Sequence, residues 1–161
     1  MNIWSRVRQL KPVQLIQLSL LFLSKPFLIG PTLKATKRTM VLCDELFGKA
    51  HHRSNKANAF RHALWNVLIC LKTLKKTHNK EKSIIWTKKV TSLYEKVTDN
   101  RKMEKAMDLH NNKVGLNLFP SVFDKKEGEI ICILQNMMEK SQKATNNDDF
   151  IKFNNNLVHL E

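Results

Sequence analysis

The sequence predicts an all-α protein, a single compact bundle of six or seven helices with an apolar N-terminal helix. Only four Gly and four Pro occur in 161 residues, so few positions break a helix. Apolar residues recur at intervals of three and four, as at Trp86, Val90, Leu93 and Val97. No segment alternates with the period of two that a half-buried strand requires.

The predicted helices cover residues 13–23, 31–47, 55–77, 82–98, 100–119 and 127–142, with a short terminal helix over 150–160. Asn55 is the expected N-cap of the third helix, with Ser54 as the alternative. Asp99 or Asn100 is expected to cap the fifth helix, and Pro120 to end it. The chain is divided into an N-terminal region (1–30), a helical core domain (31–143) and a tail or short helix (144–161).

The apolar run over residues 13–23 allows three interpretations. It is about half the ~20 residues that a spanning helix needs. A basic start before a short apolar core resembles a secretory signal, but Lys25 and Pro26 interrupt the run and no cleavage site follows. We therefore expect a helix that packs on the domain or lies at a membrane surface. Its apolar residues cover more than one face, which predicts burial on both sides.

The net charge of +14 is concentrated in the first part of the chain. Residues 1–100 hold 19 Lys and Arg against 5 Asp and Glu, whereas residues 101–161 hold 9 of each. Such a field attracts anionic surfaces, and an anionic membrane surface is the expected partner. The alternative is a solvated Lys-rich surface. No motif accompanies the charge, so no specific nucleic-acid partner is expected.

Three cysteines, Cys43, Cys70 and Cys132, are widely spaced and lie among apolar residues. They predict buried thiols in a reducing compartment, not a disulfide framework or a zinc site. The expected location is therefore cytoplasmic, with peripheral attachment at the inner membrane.

Polar residues share a face of the predicted helix 55–77. Asn58, His62 and Asn66 are spaced i, i+4, i+8, and Arg61 and Trp65 lie beside them. Buried polar groups need hydrogen-bond partners, and residues 107–115 are the best source of them. The two helices are therefore expected to pack together.

On the second of these helices, one stripe contains Asp108, Asn111, Gly115 and Phe119, with Asn112 at its outer edge. Gly115 has no side chain, so another backbone or a ligand can come close there. The two helices would enclose a polar pocket lined by the following residues: Asn58, Arg61, His62, Asn66, Asp108, Asn111 and Asn112.

The segments 58–66 (Asn-Ala-Phe-Arg-His-Ala-Leu-Trp-Asn) and 107–112 (Met-Asp-Leu-His-Asn-Asn) resemble an uncharacterised bacterial domain family of unknown function. Members occur alone and in toxin-like proteins, and the likeness covers about residues 31–119. The family's middle motif is a His-Glu pair, where this chain has Tyr94-Glu95. The resemblance implies Glu95 as a substrate-binding residue. By helical spacing, Tyr94 lies beside the core stripe and Glu95 points elsewhere.

A hydrolytic interpretation assigns catalysis to His62 as general base, Asp108 as the carboxylate that orients it, and Arg61 as an anion holder. The side chains assigned to substrate binding are those of Asn58, Asn66, Asn111, Asn112 and Glu95. A phosphoester or lipid at a membrane surface would be the substrate. The alternative is a non-enzymatic binding or scaffold protein in which the same network is structural.

A metal-binding interpretation would use His51, His52, His62, Asp108 and His110. His110 points away from Asp108, and the spacing matches no standard zinc pattern. We therefore assign no metal ligands, and the cofactor is unknown.

Overall fold

The computed structural model describes residues 12–97 and 101–161, apart from the side chain of Leu18. The described residues form seven α-helices, two short 3₁₀ helices and two two-residue strands, so the all-α prediction is confirmed. In chain order the elements are α1 (Pro12–Ser24), a 3₁₀ helix (Pro26–Leu28), α2 (Ile29–Phe47), a second 3₁₀ helix (Ala50–His52), α3 (Lys56–Thr77), α4 (Lys80–Val97), α5 (Lys102–Val122), α6 (Glu127–Glu139), β1 (Gln142–Lys143), α7 (Asp149–Lys152) and β2 (Val158–His159).

Helix α3 is the centre of the molecule and packs against α2, α4, α5 and α6. Its apolar residues supply much of a core in which Phe60, Leu64 and Ile69 are fully buried, with Trp86 from α4 almost fully so. Burying a side chain of this size contributes about 1.5–3 kcal/mol. The predicted packing of α3 against α5 is present, and it sets the polar faces of the two helices against each other.

The predicted start of α3 is confirmed, whereas the predicted end of α5 is wrong. The Asn55 side chain accepts a hydrogen bond from the Asn58 backbone N–H at 3.1 Å, as an N-cap does. Helix α5 continues through Pro120 to Val122. Proline costs one hydrogen bond there but has a helical φ, so a further half-turn can follow. Asp99 and Asn100, the expected caps of α5, lie outside the described residues.

The predicted terminal helix over 150–160 is also wrong. Only Asp149–Lys152 is helical, and Val158–His159 then pairs in parallel with Gln142–Lys143. The Asn111 side chain donates to the Val158 carbonyl and accepts from the Val158 N–H, each at 2.9 Å. This amide substitutes for a neighbouring strand, so a tertiary contact overrides the local helical pattern.

The predicted burial of α1 on both sides is wrong. Leu21 and Phe22 pack against the core, with the Phe22 ring 6.3 Å from the Trp86 ring. Several other apolar side chains of α1 are largely exposed. In the described residues no single helix has the length and apolar composition to cross a membrane. Helix α1 and the segment Pro26–Phe47 meet that criterion only as a pair, bent by 99°.

Two of the three thiols are buried, as predicted, and Cys132 is exposed. The prediction for Cys132 is wrong because its side of α6 faces away from the core. Burial raises the pKa of Cys43 and of Cys70 to about 12. Both thiols are therefore protonated at neutral pH and are poor nucleophiles.

Candidate functional site

Three ionisable side chains from three helices meet in the interior: His62 of α3, Glu95 of α4 and Asp108 of α5. One ligand-type atom from each lies within 4.8 Å of the other two. All three residues are at most 5% exposed. Burying charges is costly unless they are paired, so these groups act on one another strongly.

The two ring nitrogens of His62 face different neighbours. Nδ1 lies 3.2 Å from Asn112 Oδ1 and 3.6 Å from Glu95 Oε1. Nε2 lies 3.1 Å from Asp108 Oδ1 and 2.8 Å from Arg61 Nη2. A hydrogen bond from Nε2 to the Asp108 carboxylate needs the ring proton on Nε2, whereas the Arg61 guanidinium, which only donates, and the Asn112 oxygen that faces Nδ1 favour the proton on Nδ1. In that tautomer Nε2 keeps a lone pair beside Asp108.

The guanidinium of Arg61 is held from its other side by His51. Arg61 Nη1 donates to the His51 carbonyl and lies 3.4 Å from His51 Nδ1. His51 Nε2 lies 2.9 Å from Asp44 Oδ1. Burial lowers the pKa of His51, partly opposed by the hydrogen bond to Asp44. A chain of polar contacts thus runs from exposed Asp44 to the buried imidazole of His62.

Two buried carboxamides tie the three helices together. Asn66 Nδ2 donates to the His62 carbonyl at 2.9 Å and to Asn112 Oδ1 at 2.7 Å. Asn66 Oδ1 accepts from Thr91 Oγ1 at 3.1 Å, and Asn112 Nδ2 donates to Glu95 Oε1 at 3.5 Å. Asn112, expected at the outer edge of its stripe, is therefore at the centre of the network.

The side chain of Glu95 points into the site. Its helical position had suggested the opposite, that the side chain points away from the core stripe. The sequence signal for this was a row of small hydroxyl residues at four-residue spacing, Ser83, Thr87 and Thr91, which leads to Glu95 along one face of α4. All four are buried against the polar side of α3. The apolar stripe through Trp86 and Val90 is only part of the buried surface of α4.

Tyr94 stands where the resemblance implied a histidine, and its ring packs edge-on against Trp65 at 5.3 Å. The Trp65 ring in turn stands 6.4 Å from the His62 ring. Position 94 thus lies in the wall around the site, behind Trp65. The cluster of His62, Glu95 and Asp108 is complete in this chain without a histidine at position 94.

The remaining predicted site residues are placed as follows. Asn111 is bonded to Val158 and does not take part in the His62 network. Asn58 is 6% exposed, and its Oδ1 has no hydrogen-bond partner among the described residues. Asn58 lies one turn before His62 on the same helix, so its carboxamide neighbours the imidazole. His110 bonds to the Asn156 carbonyl at 2.8 Å, away from Asp108.

Two groups of side chains in the described part of the chain have the composition of a cation site. Asp44, His51 and His52 form one, and His62, Glu95 and Asp108 form the other. In the second group the carboxylates face opposite nitrogens of one ring, whereas a metal ion binds one imidazole nitrogen. The Arg61 guanidinium also supplies positive charge at Nε2. This geometry favours acid–base chemistry at His62.

The fold and the site define a helical domain built around a buried imidazole between two carboxylates. A family model described as Domain of unknown function (DUF6973) matches residues 19–142, and the chain belongs to that family. The resemblance to an uncharacterised domain family agrees with this match. Searches of curated proteins and of solved structures found no significant match to this chain.

Proposed function

We propose that the protein is a hydrolase that cleaves phosphoester bonds, with His62 as general base. The observation that carries this proposal is the convergence of His62, Glu95 and Asp108, which come from three helices. Apolar residues of similar volume would join the helices at no desolvation cost. Ionisable groups brought together in an interior are characteristic of functional sites.

The surroundings of each nitrogen support a division of roles. Nδ1 faces Asn112 and, behind it, Glu95, which would keep the ring proton on that side. Nε2 would then accept the proton of an attacking water, with Asp108 beside it to hold that water. Glu95, acting with Asn112, is thus the group that orients His62, and Asp108 belongs to the reacting side.

Arg61 supports an anionic substrate. Its guanidinium is only partly buried and lies 2.8 Å from the nitrogen assigned as the base. Guanidinium groups bind phosphate oxygens in a bidentate manner. A phosphoester that replaces the contact to Nε2 would be held by Arg61 and would leave the lone pair of His62 available.

The test is hydrolysis of bis-p-nitrophenyl phosphate and p-nitrophenyl phosphate by the wild type and by His62→Gln, Asp108→Asn and Glu95→Gln. We expect each substitution to lower kcat by about 10²–10⁴-fold, the usual contribution of a positioned acid or base. His78→Gln, at an exposed histidine, is the matched control and should keep full activity. Equal rates for wild type and His62→Gln would contradict the proposal.

A second candidate is a non-enzymatic scaffold or binding protein in which the same network is a helix clamp. The observation that favours it is the pair Asn66 and Asn112, whose hydrogen bonds join α3, α4 and α5 with no exposed group. Fully bonded buried networks of this kind rigidify a core. The free energies of unfolding of network variants separate the two candidates, because a clamp loses stability when a partner is removed.

A further inference from the structure

Helix α1 carries an apolar stripe on the side that faces away from the protein. Val13, Ile16, Leu20 and Leu23 are spaced by three and four residues, and Phe27 lies in the 3₁₀ helix that follows. These five side chains are between 56% and 72% exposed. We call them the α1 stripe.

The partly buried residues of the same helix are both polar and apolar. Gln14 and Gln17 are partly buried, together with Leu21 and Phe22. A helix that only completes a protein core turns its aliphatic residues inward, whereas most of the described aliphatic residues of α1 are exposed. Five aliphatic or aromatic side chains on one exposed face mark a surface that another apolar phase covers.

The charges around the α1 stripe indicate which phase this is. Residues 12–43 contain no acidic residue, and their basic residues are Lys25, Lys34, Lys37 and Arg38. Arg38 is paired with Glu127 at 2.7 Å, whereas Lys34 and Lys37 are exposed. An exposed apolar face with Lys25 at its end, on a segment of 32 residues without a carboxylate, is complementary to anionic lipid.

A second copy of the chain fits this surface less well. Two α1 stripes packed together would bring the Lys25 residues of both copies close, and residues 12–43 offer no carboxylate to neutralise them. Phospholipid headgroups provide both the negative charge and the apolar layer beneath it.

We propose that the α1 stripe docks this protein on an anionic phospholipid membrane, with α1 lying in the plane of the interface. The exposed side chains enter the acyl boundary, and Lys25, Lys34 and Lys37 contact the headgroups. This inference is independent of the proposed hydrolase activity, because it rests on residues outside the His62 site.

The experiment is flotation of the full chain with vesicles of phosphatidylcholine alone and of phosphatidylcholine mixed with phosphatidylglycerol. We expect binding to the mixed vesicles and much weaker binding to the neutral ones. The double variant Leu20→Ser/Leu23→Ser should lower affinity for mixed vesicles by about tenfold or more, because two apolar side chains no longer enter the lipid. Its urea midpoint should match the wild type, since both side chains are exposed.

Two matched controls are available on the same molecule. Ile151→Ser removes an apolar side chain that is 78% exposed and lies outside the α1 stripe, so vesicle binding should not change. Lys34→Glu/Lys37→Glu should abolish the preference for anionic vesicles, whereas Lys88→Glu/Lys89→Glu, at exposed positions of α4, should have a smaller effect.

Three results would overturn the proposal. The first is no binding to mixed vesicles, and the second is equal binding by the wild type and the Leu20/Leu23 variant. The third is a dimer in analytical ultracentrifugation that Leu20→Ser/Leu23→Ser dissociates, because a second copy would then cover the α1 stripe.

Discussion

His62 is defined by what lies at each ring nitrogen. Each nitrogen has its own carboxylate, Glu95 near Nδ1 and Asp108 near Nε2. Only Nε2 also contacts a guanidinium, that of Arg61. A guanidinium cannot accept a hydrogen bond, so its position, together with the Asn112 oxygen that faces Nδ1, favours the tautomer with the proton on Nδ1. The backbone brings Glu95 and Asp108 to opposite sides of one imidazole, and the proposed acid–base role of His62 rests on that placement.

Stability measurements on single residues separate a poised site from a helix clamp. Asp108→Asn removes one buried charge and keeps the shape of the side chain. If Asp108 is kept for chemistry, the free energy of urea unfolding should stay equal or rise, because functional sites trade stability for activity. The same result is expected for His62→Gln.

Asn112→Ala is the matched comparison. It leaves Asn66 Nδ2 without its partner and removes the donor to Glu95, so it should lower the free energy of unfolding by about 1–3 kcal/mol. A loss of the same size for Asp108→Asn and His62→Gln would identify the whole network as structural and would contradict the proposed hydrolase.

The crossing of α3 and α5 depends on one glycine. A Cβ added at Gly115 would lie 2.5 Å from the Ala63 carbonyl oxygen and 2.7 Å from its Cα. Both are backbone atoms of α3, so no side-chain movement can relieve the overlap. The close approach expected at Gly115 is therefore an approach of backbone, and it sets the distance at which Asp108 and Asn112 face His62.

Gly115→Ala should destabilise the protein by about 1–3 kcal/mol, the usual cost of overpacking a core. Urea unfolding followed by circular dichroism measures this. Gly128→Ala is the control, because its added Cβ meets nothing within 4 Å and alanine favours a helix. Equal stability of Gly115→Ala and wild type would show that the two helices can separate at no cost.

The helices also show where periodicity predicts structure and where it does not. Regular apolar spacing correctly predicted six segments as helical, including the central α3. It assigned only one face of α4, because a row of Ser and Thr was not recognised as buried. It extended a helix over 150–160, where the Asn111 side chain instead stabilises an extended strand. In both cases the deciding contacts come from a distant helix.

Buried histidines couple the stability of the whole molecule to pH. Burial lowers the pKa of His51 and His110, and it lowers that of His52 to about 4. At a pH above about 6.5 these groups are neutral in the folded and unfolded states alike. Below that pH the unfolded chain takes up protons first, so folding is opposed progressively as the pH falls towards the folded pKa values.

The free energy of urea unfolding should therefore decrease as the pH is lowered from about 7 to about 5. His110→Gln should reduce the slope, because glutamine does not titrate and can still donate to the Asn156 carbonyl. A free energy of unfolding that stays constant or rises as the pH is lowered would contradict the assignment of these histidines as buried neutral groups.

The sequence was sufficient to predict the helical class, the N-cap at Asn55 and the pairing of the two polar helices, because these follow from local periodicity and from the need to bond buried polar groups. It also predicted that His62, Arg61 and Asp108 would lie together, which the structure shows, since their spacing places them on facing sides of α3 and α5. The geometry within that site is not local, and residue spacing alone cannot supply it.

The packing of the helices decided the rest. Burial of Glu95, the central position of Asn112 and the turning of Asn111 to Val158 depend on how α4, α5 and the C-terminal strand pack around α3. The exposure of the α1 stripe was set in the same way, because an apolar segment is buried only if the rest of the chain offers a surface to cover it. Local pattern determines which segments are helices, whereas the faces that they share are determined by contacts between residues far apart in the chain.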